Sequence, residues 1–182
     1  ARSLLSVGLP ILGATHRDIP PSALGVGDLR HPDGEFVAWL AQLQWARRFG
    51  PWGVEAIARL DAQLVSDALP SLERFPVGGH LSVRGYRENQ IVRDEGVVTS
   101  LELRVPVPVL EEQIGSLQLA PFVDFGHATN RNNPTPSPAN LASIGVGLLW
   151  ERGPFEASIH YGYALESAHT SGDLQDAGVQ FR

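Results

Sequence analysis

The side chains that usually carry chemistry are sparse here and poorly spaced for it. Cysteine is absent, which removes thiolate nucleophiles, disulfides and Cys-ligated zinc or iron–sulfur sites. His16, His31, His80, His127, His160 and His169 show no ligand spacing, and all but His160 fall in segments read as loops. No metal site or cofactor is expected from them. Serine, histidine and aspartate all occur, but no G-x-S-x-G elbow accompanies them, so a hydrolase triad has no support. Gly25-Val-Gly27 and Gly145-Val-Gly147 lack the strand-to-helix setting of a phosphate loop. The 14 basic residues are all arginine and are outnumbered by 20 acidic ones, for a formal charge of −6. Such a chain is a poor match for nucleic acid, whose phosphates need clustered cations. An enzyme is not expected.

What the sequence does carry is period. No run of about 18 apolar residues exists, which excludes a transmembrane helix but not a membrane β-barrel, whose alternating strands average to neutral hydropathy. Between Val54 and Val65, Val54, Ala56, Ala58, Leu60, Ala62 and Leu64 share one parity, while Glu55, Arg59, Asp61 and Gln63 take the other. That is the signature of a strand with one apolar and one polar face. The same reading applies to Glu35–Arg47, to Val97–Val105 (with Ser100, Glu102 and Arg104 on the polar parity), to Leu117–Phe125 (with Asp124), to Ala142–Trp150 and to Phe155–Tyr163. Leu4–Ala14 and Leu174–Arg182 complete eight candidates, and no helix stands out.

These strands run to about 10–12 residues, against about 5–6 in globular proteins, and roughly ten tilted residues cross a bilayer. The connections alternate in length: Gly13–Glu35 is long and Arg48–Trp52 short, Asp67–Glu95 very long and Val107–Gly115 moderate, and then come His127–Asn140, the tight Arg152–Pro154 turn and Glu166–Asp173. Outer-membrane barrels are built this way. Trp39, Trp45, Trp150, Tyr161 and Tyr163 suit interfacial girdles. An antiparallel sandwich with one solvated face is the alternative that the pattern leaves open. The polar parity is rich in Gly, Ser, Glu, Arg and Asp, which points to a wet lumen wider than eight strands enclose. The expectation is therefore an all-β, antiparallel transmembrane barrel of which residues 1–182 supply one half.

The longest loop, Leu72–Gln90, holds Phe75, Val77, Leu81, Val83 and Tyr86, which favour burial, and Gly78, Gly79 and Gly85, which permit sharp turns. It reads as an ordered hairpin tucked into the lumen rather than as disordered chain. Within it, Val83-Arg84-Gly85-Tyr86 resembles the VRGY/F motif of the inward-folded loop in the BamA-like outer-membrane superfamily. Phe122-Val-Asp124-Phe-Gly126 is similar to that superfamily's F-x-D-x-G signature on the inner barrel wall. The wider context, Phe75-Pro-Val-Gly-Gly79 and Arg84-Gly-Tyr-Arg-Glu-Asn-Gln-Ile-Val-Arg-Asp94, looks most like the ShlB/FhaC/HecB hemolysin-activator transporters of two-partner secretion. Leu174-Gln-Asp-Ala-Gly178 resembles the start of that branch's last strand.

The resemblance implies that Arg84 pairs with Asp124 and pins the loop inside the barrel; the parity of Asp124 agrees. It also implies the C-terminal half of a barrel of about sixteen strands in the outer membrane of a Gram-negative bacterium. Upstream POTRA domains would capture an unfolded exoprotein, and the barrel would be seated in outer-membrane lipid by the barrel assembly machinery. The sequence departs from the family in lacking the POTRA domains and N-terminal strands, and in placing Arg182 after Phe181, where family chains end on an aromatic residue. Two other functions share the fold, an assembly insertase and the barrel anchor of a lipid hydrolase. A soluble β-sandwich binding module is the most distant alternative.

Overall fold

Alternating apolar and polar side chains give an extended chain two unlike faces, and strands with unlike faces assemble so that each face finds its own solvent. The computed structural model describes residues 1–9, 34–108, 114–167 and 177–181. Its strands are β1 (Arg2–Val7), β2 (Val37–Phe49), β3 (Val54–Val65), β4 (Phe75–Val77), β5 (Ile91–Arg93), β6 (Glu95–Pro106), β7 (Ser116–Thr129), β8 (Asn140–Arg152), β9 (Phe155–Ala164) and β10 (Val179–Phe181). Eight of them form one antiparallel sheet in the order β1-β2-β3-β6-β7-β8-β9-β10, a meander interrupted only by the separate β4–β5 pair. β1 and β10 are its edges and do not pair with each other, so the sheet is open.

The all-β antiparallel class and the sequence positions of the eight strands in the large sheet match the expectation, with differences at the ends, while β4 and β5 are short strands within the expected long connection. β2 runs to Phe49 because the reversal is made by Gly50 and Gly53, at φ 63° and 69°, so the chain stays extended up to the turn. β7 continues to Thr129, which places His127 on a strand and not in a loop. Its inward residues there, Gly126 and Ala128, are too small to sustain a readable alternation. β1 ends at Val7; residues 10–14 of the expected first strand lie outside the described residues, as do residues 174–176 and Arg182 of the last. His16, His31, His169 and the Gly25–Gly27 pair also lie outside them.

Register across the sheet sorts the faces. Trp45, Ala58, Leu101, Val123, Ile144 and Tyr163 are successive partners from β2 to β9. All point to one side, where Leu101 is 58% and Ile144 54% exposed. A continuous apolar face left bare is what lipid, and not water, covers. One register row away, Gln44, Arg59, Ser100, Asp124 and Ser143 line the opposite face. The core lies against that inward face. Phe75, Val77, Val83, Tyr86 and Ile91 of the β3–β6 connection pack there on Val98, Ala128 and Leu141 of the wall. A sandwich would need a second large sheet, and among the described residues the only other sheet is the pair of three-residue strands β4 and β5.

Candidate functional site

The β3–β6 connection leaves β4 through Gly78 and Gly79, at φ 109° and 103°, conformations that other residues resist. Below them its tip meets the centre of β7. Asp124 is five residues from the β7 end at Thr129, roughly 17 Å down the wall at strand rise.

Arg84 and Asp124 are in direct contact. Arg84 Nε donates to Asp124 Oδ2 at 2.8 Å and Nη2 to Oδ1 at 2.9 Å, a two-pronged pairing of fork and carboxylate. The Arg84 backbone N–H also donates to Oδ2, at 3.0 Å. Two further donors are taken as well. Nη2 reaches Ser100 Oγ at 3.1 Å, and Nη1 forms an ion pair with Glu102. Glu102 accepts in turn from Arg104 Nε at 2.8 Å, so two arginines face two carboxylates. The Arg84 guanidinium carbon sits 3.6 Å from the centre of the Phe122 ring, a cation–π contact. Arg84 is 6% and Asp124 1% exposed. Burial works against the arginine's charge, but hydrogen bonding and attraction from Asp124 and Glu102 outweigh it and raise its pKa above the ordinary value.

The neighbouring motif residues owe their places to close approach. A Cβ on Gly126 would collide with Val77 and lie 2.9 Å from Cγ2 of the fully buried Val83, so the missing side chain is the niche that Val83 fills. Gly85 has φ 90°, and a Cβ there would lie 2.7 Å from the carbonyl oxygen of Gly162 on β9. Tyr86 runs on to the β8 and β9 ends. Its hydroxyl lies 2.8 Å from the Ala142 carbonyl and accepts from the Glu166 N–H at 3.0 Å. Its own carbonyl accepts from Gln180 Nε2 of β10 at 3.0 Å.

All seven residues singled out from the motifs, Val83, Arg84, Gly85, Tyr86, Phe122, Asp124 and Gly126, thus meet in one place. Sequence reasoning did not find Glu102, Ser100, Gly162 or Gln180 as members. Parity had put Ser100 and Glu102 on the polar face, but which of its residues stand beside Asp124 depends on the β6–β7 register. His80 of the tip and His160 of β9 also meet, their rings edge-on with centres 5.0 Å apart. A cavity of about 440 Å³ borders this cluster, lined in part by Arg59, His80, Arg84, Glu102, Arg104 and Gln118. Among the described residues no group of three or more His, Asp or Glu could hold a metal ion.

The profile of the Omp85 superfamily domain matches residues 35–182. No curated protein sequence matches the chain. Among solved structures, CdiB from Acinetobacter baumannii is similar over 74% of this chain and 24% of its own, with a TM-score of 0.62 and 22% identity. BamA from Haemophilus ducreyi lacking POTRA domains 1-3 is similar over 82% of this chain and 35% of its own, with a TM-score of 0.64 and 16% identity. The chain therefore spans about a quarter to a third of these proteins, and the likeness is one of fold. An open meander with one lipid-type face is then part of a larger barrel wall, and the chain belongs to the Omp85 superfamily of outer-membrane β-barrel proteins.

Proposed function

We propose that residues 1–182 are the C-terminal half of the barrel of a two-partner secretion transporter, which exports a large unfolded exoprotein of the hemolysin or adhesin type. The family is one of barrels that transport or insert proteins, and the loop context from Phe75 to Asp94 favours the secretion branch over an insertase or a hydrolase anchor. The chain does no covalent chemistry in this reading. POTRA domains upstream capture the exoprotein, the barrel gives it a polar path, and outer-membrane lipid covers the apolar face that the barrel assembly machinery inserts.

The observation that carries the reading is the Arg84–Asp124 contact, which holds the loop across the inward face where a translocating chain must pass. The loop then occupies the lumen at rest and is displaced during passage. Losing one partner of a buried ion pair costs about 3–5 kcal/mol, reduced where water reaches the site. In the intact transporter, Arg84→Asp and Asp124→Arg should each cut secreted exoprotein about tenfold, since 1.4 kcal/mol is already that factor. The double exchange should recover part of it, because the two positions again offer one carboxylate and one guanidinium to each other. Quantifying exoprotein in the medium and porin assembly in the same cells decides between branches. Full secretion by both single variants would sink the role of the pair; lost porin assembly with no secretion phenotype would favour the insertase.

A further inference from the structure

The loop is fastened twice, and the two fastenings differ in kind. Asp94, at the end of β5 where the loop returns to the wall, has no exposed surface. Its Oδ1 accepts from the Leu69 N–H at 3.1 Å and forms an ion pair with Arg74, whose Nε lies 3.2 Å away, and its Oδ2 accepts from the Arg131 N–H at 2.8 Å. Its carbonyl accepts from Gln63 Nε2 of β3 at 3.0 Å, and its N–H donates to the Thr129 carbonyl of β7 at 3.2 Å. The same Gln63 nitrogen donates to the Glu73 carbonyl at 2.9 Å. One carboxylate thus joins the outgoing limb of the loop (Leu69, Arg74), the returning limb and the chain just beyond β7. Leu69, itself wholly buried, packs on Ala38 and Val65 of β2 and β3.

The tip is held by the ion pairs of Arg84 and by Tyr86 on Ala142, Glu166 and Gln180. Arg84 and Glu102 border the polar cavity, where water can take over their bonds once the tip lifts. Between the two fastenings lie Gly78 and Gly79 on one limb and Asn89, at φ 56°, on the other. Such positions absorb hinge rotation.

We infer that Asp94 is a positioning residue that clamps the root of the inward loop to the wall, so that transport frees the tip held by Arg84 while the root stays in place. The inference rests on the secretion reading for its functional half only.

The test uses thiol cross-links in the full-length transporter, whose barrel half here has no cysteine of its own. His80→Cys with His160→Cys places one thiol on the tip and one on the wall. Asp67→Cys with Asn132→Cys joins the outgoing limb of the root to the connection beyond β7, where these side chains hydrogen-bond at 2.9 Å. Closing the tip pair with a short bifunctional thiol reagent should abolish secretion. Closing the root pair should leave it within about twofold of the unlinked protein. Secretion stopped equally by both closures would overturn the inference.

Asp94→Asn keeps the shape but turns an amide NH2 toward donors. It should lower root cross-linking several-fold and leave tip cross-linking within twofold. Equal loss at both pairs would mean that the loop is one rigid body, and the inference fails. These yields need no exoprotein, so a failure of the secretion reading shows separately, as no export by the unlinked variants. Should Asp94→Asn fail to assemble, the closures in the Asp94 background still decide.

Discussion

At the scale of single residues, the site is governed by how little room it leaves. Arg84 spends its fork on Asp124, Ser100 and Glu102 while lying over Phe122, and lysine, a point charge without a fork, could not replace it. The glycines matter as absences. A Cβ on Gly162 would lie 2.7 Å from the Gly85 nitrogen and 2.8 Å from its Cα, backbone atoms that cannot rotate away. Gly162→Ala should therefore push the tip off the wall at a cost of about 1–3 kcal/mol. Faster protease cleavage within residues 78–90 of the assembled protein would show it; unchanged cleavage would contradict the close approach. The motif residues were legible in the sequence because their types are restricted by these contacts. Glu102 was not, since an acid on a polar parity looks like any lumen residue until register sets it opposite Phe122, within reach of Arg84.

At the scale of strands, the two faces should respond oppositely to charge. Leu101 faces lipid midway along β6. Leu101→Arg should cost about 2–4 kcal/mol near the bilayer midplane. Gln44→Glu, on the inward face opposite Arg59, should cost less than about 1 kcal/mol. Denaturant titration of the barrel in lipid vesicles measures both, and equal losses would mean that the faces are misassigned. Alternation made β3, β6 and β8 easy to read because a parity slip would turn every apolar residue of a strand to the wrong side. An ordered hairpin within Leu72–Gln90 was expected from its apolar residues and glycines, but not the pairing of β4 with β5, which lies beyond that segment. Its clamp was not, because Asp94 works through backbone N–H groups at Leu69 and Arg131, and sequence carries no mark of a backbone donor left for a distant carboxylate.

At the scale of the molecule, the sheet's two open edges decide what these residues can do by themselves. Among the described residues, β1 and β10 are each paired on one side only, and an open strand edge in lipid leaves N–H and C=O groups that lipid cannot satisfy. Residues 1–182 expressed and refolded alone should aggregate or stay outside vesicles, with no heat-modifiable band in gel electrophoresis. Vesicles that acquire such a band from this segment would show that eight strands close without further wall. The contact between Gly85 and Gly162 has a mechanical corollary. Two backbones touching without side chains have no compliant linkage between them, and a gap of only about 0.5–1 Å forfeits a quarter to a half of the attraction. The hydrogen bonds of the guanidinium fork beside them likewise weaken steeply once misaligned. Under tension the tip therefore does not stretch away from the wall: it is brittle, holding its position until a threshold load and then letting go in one step.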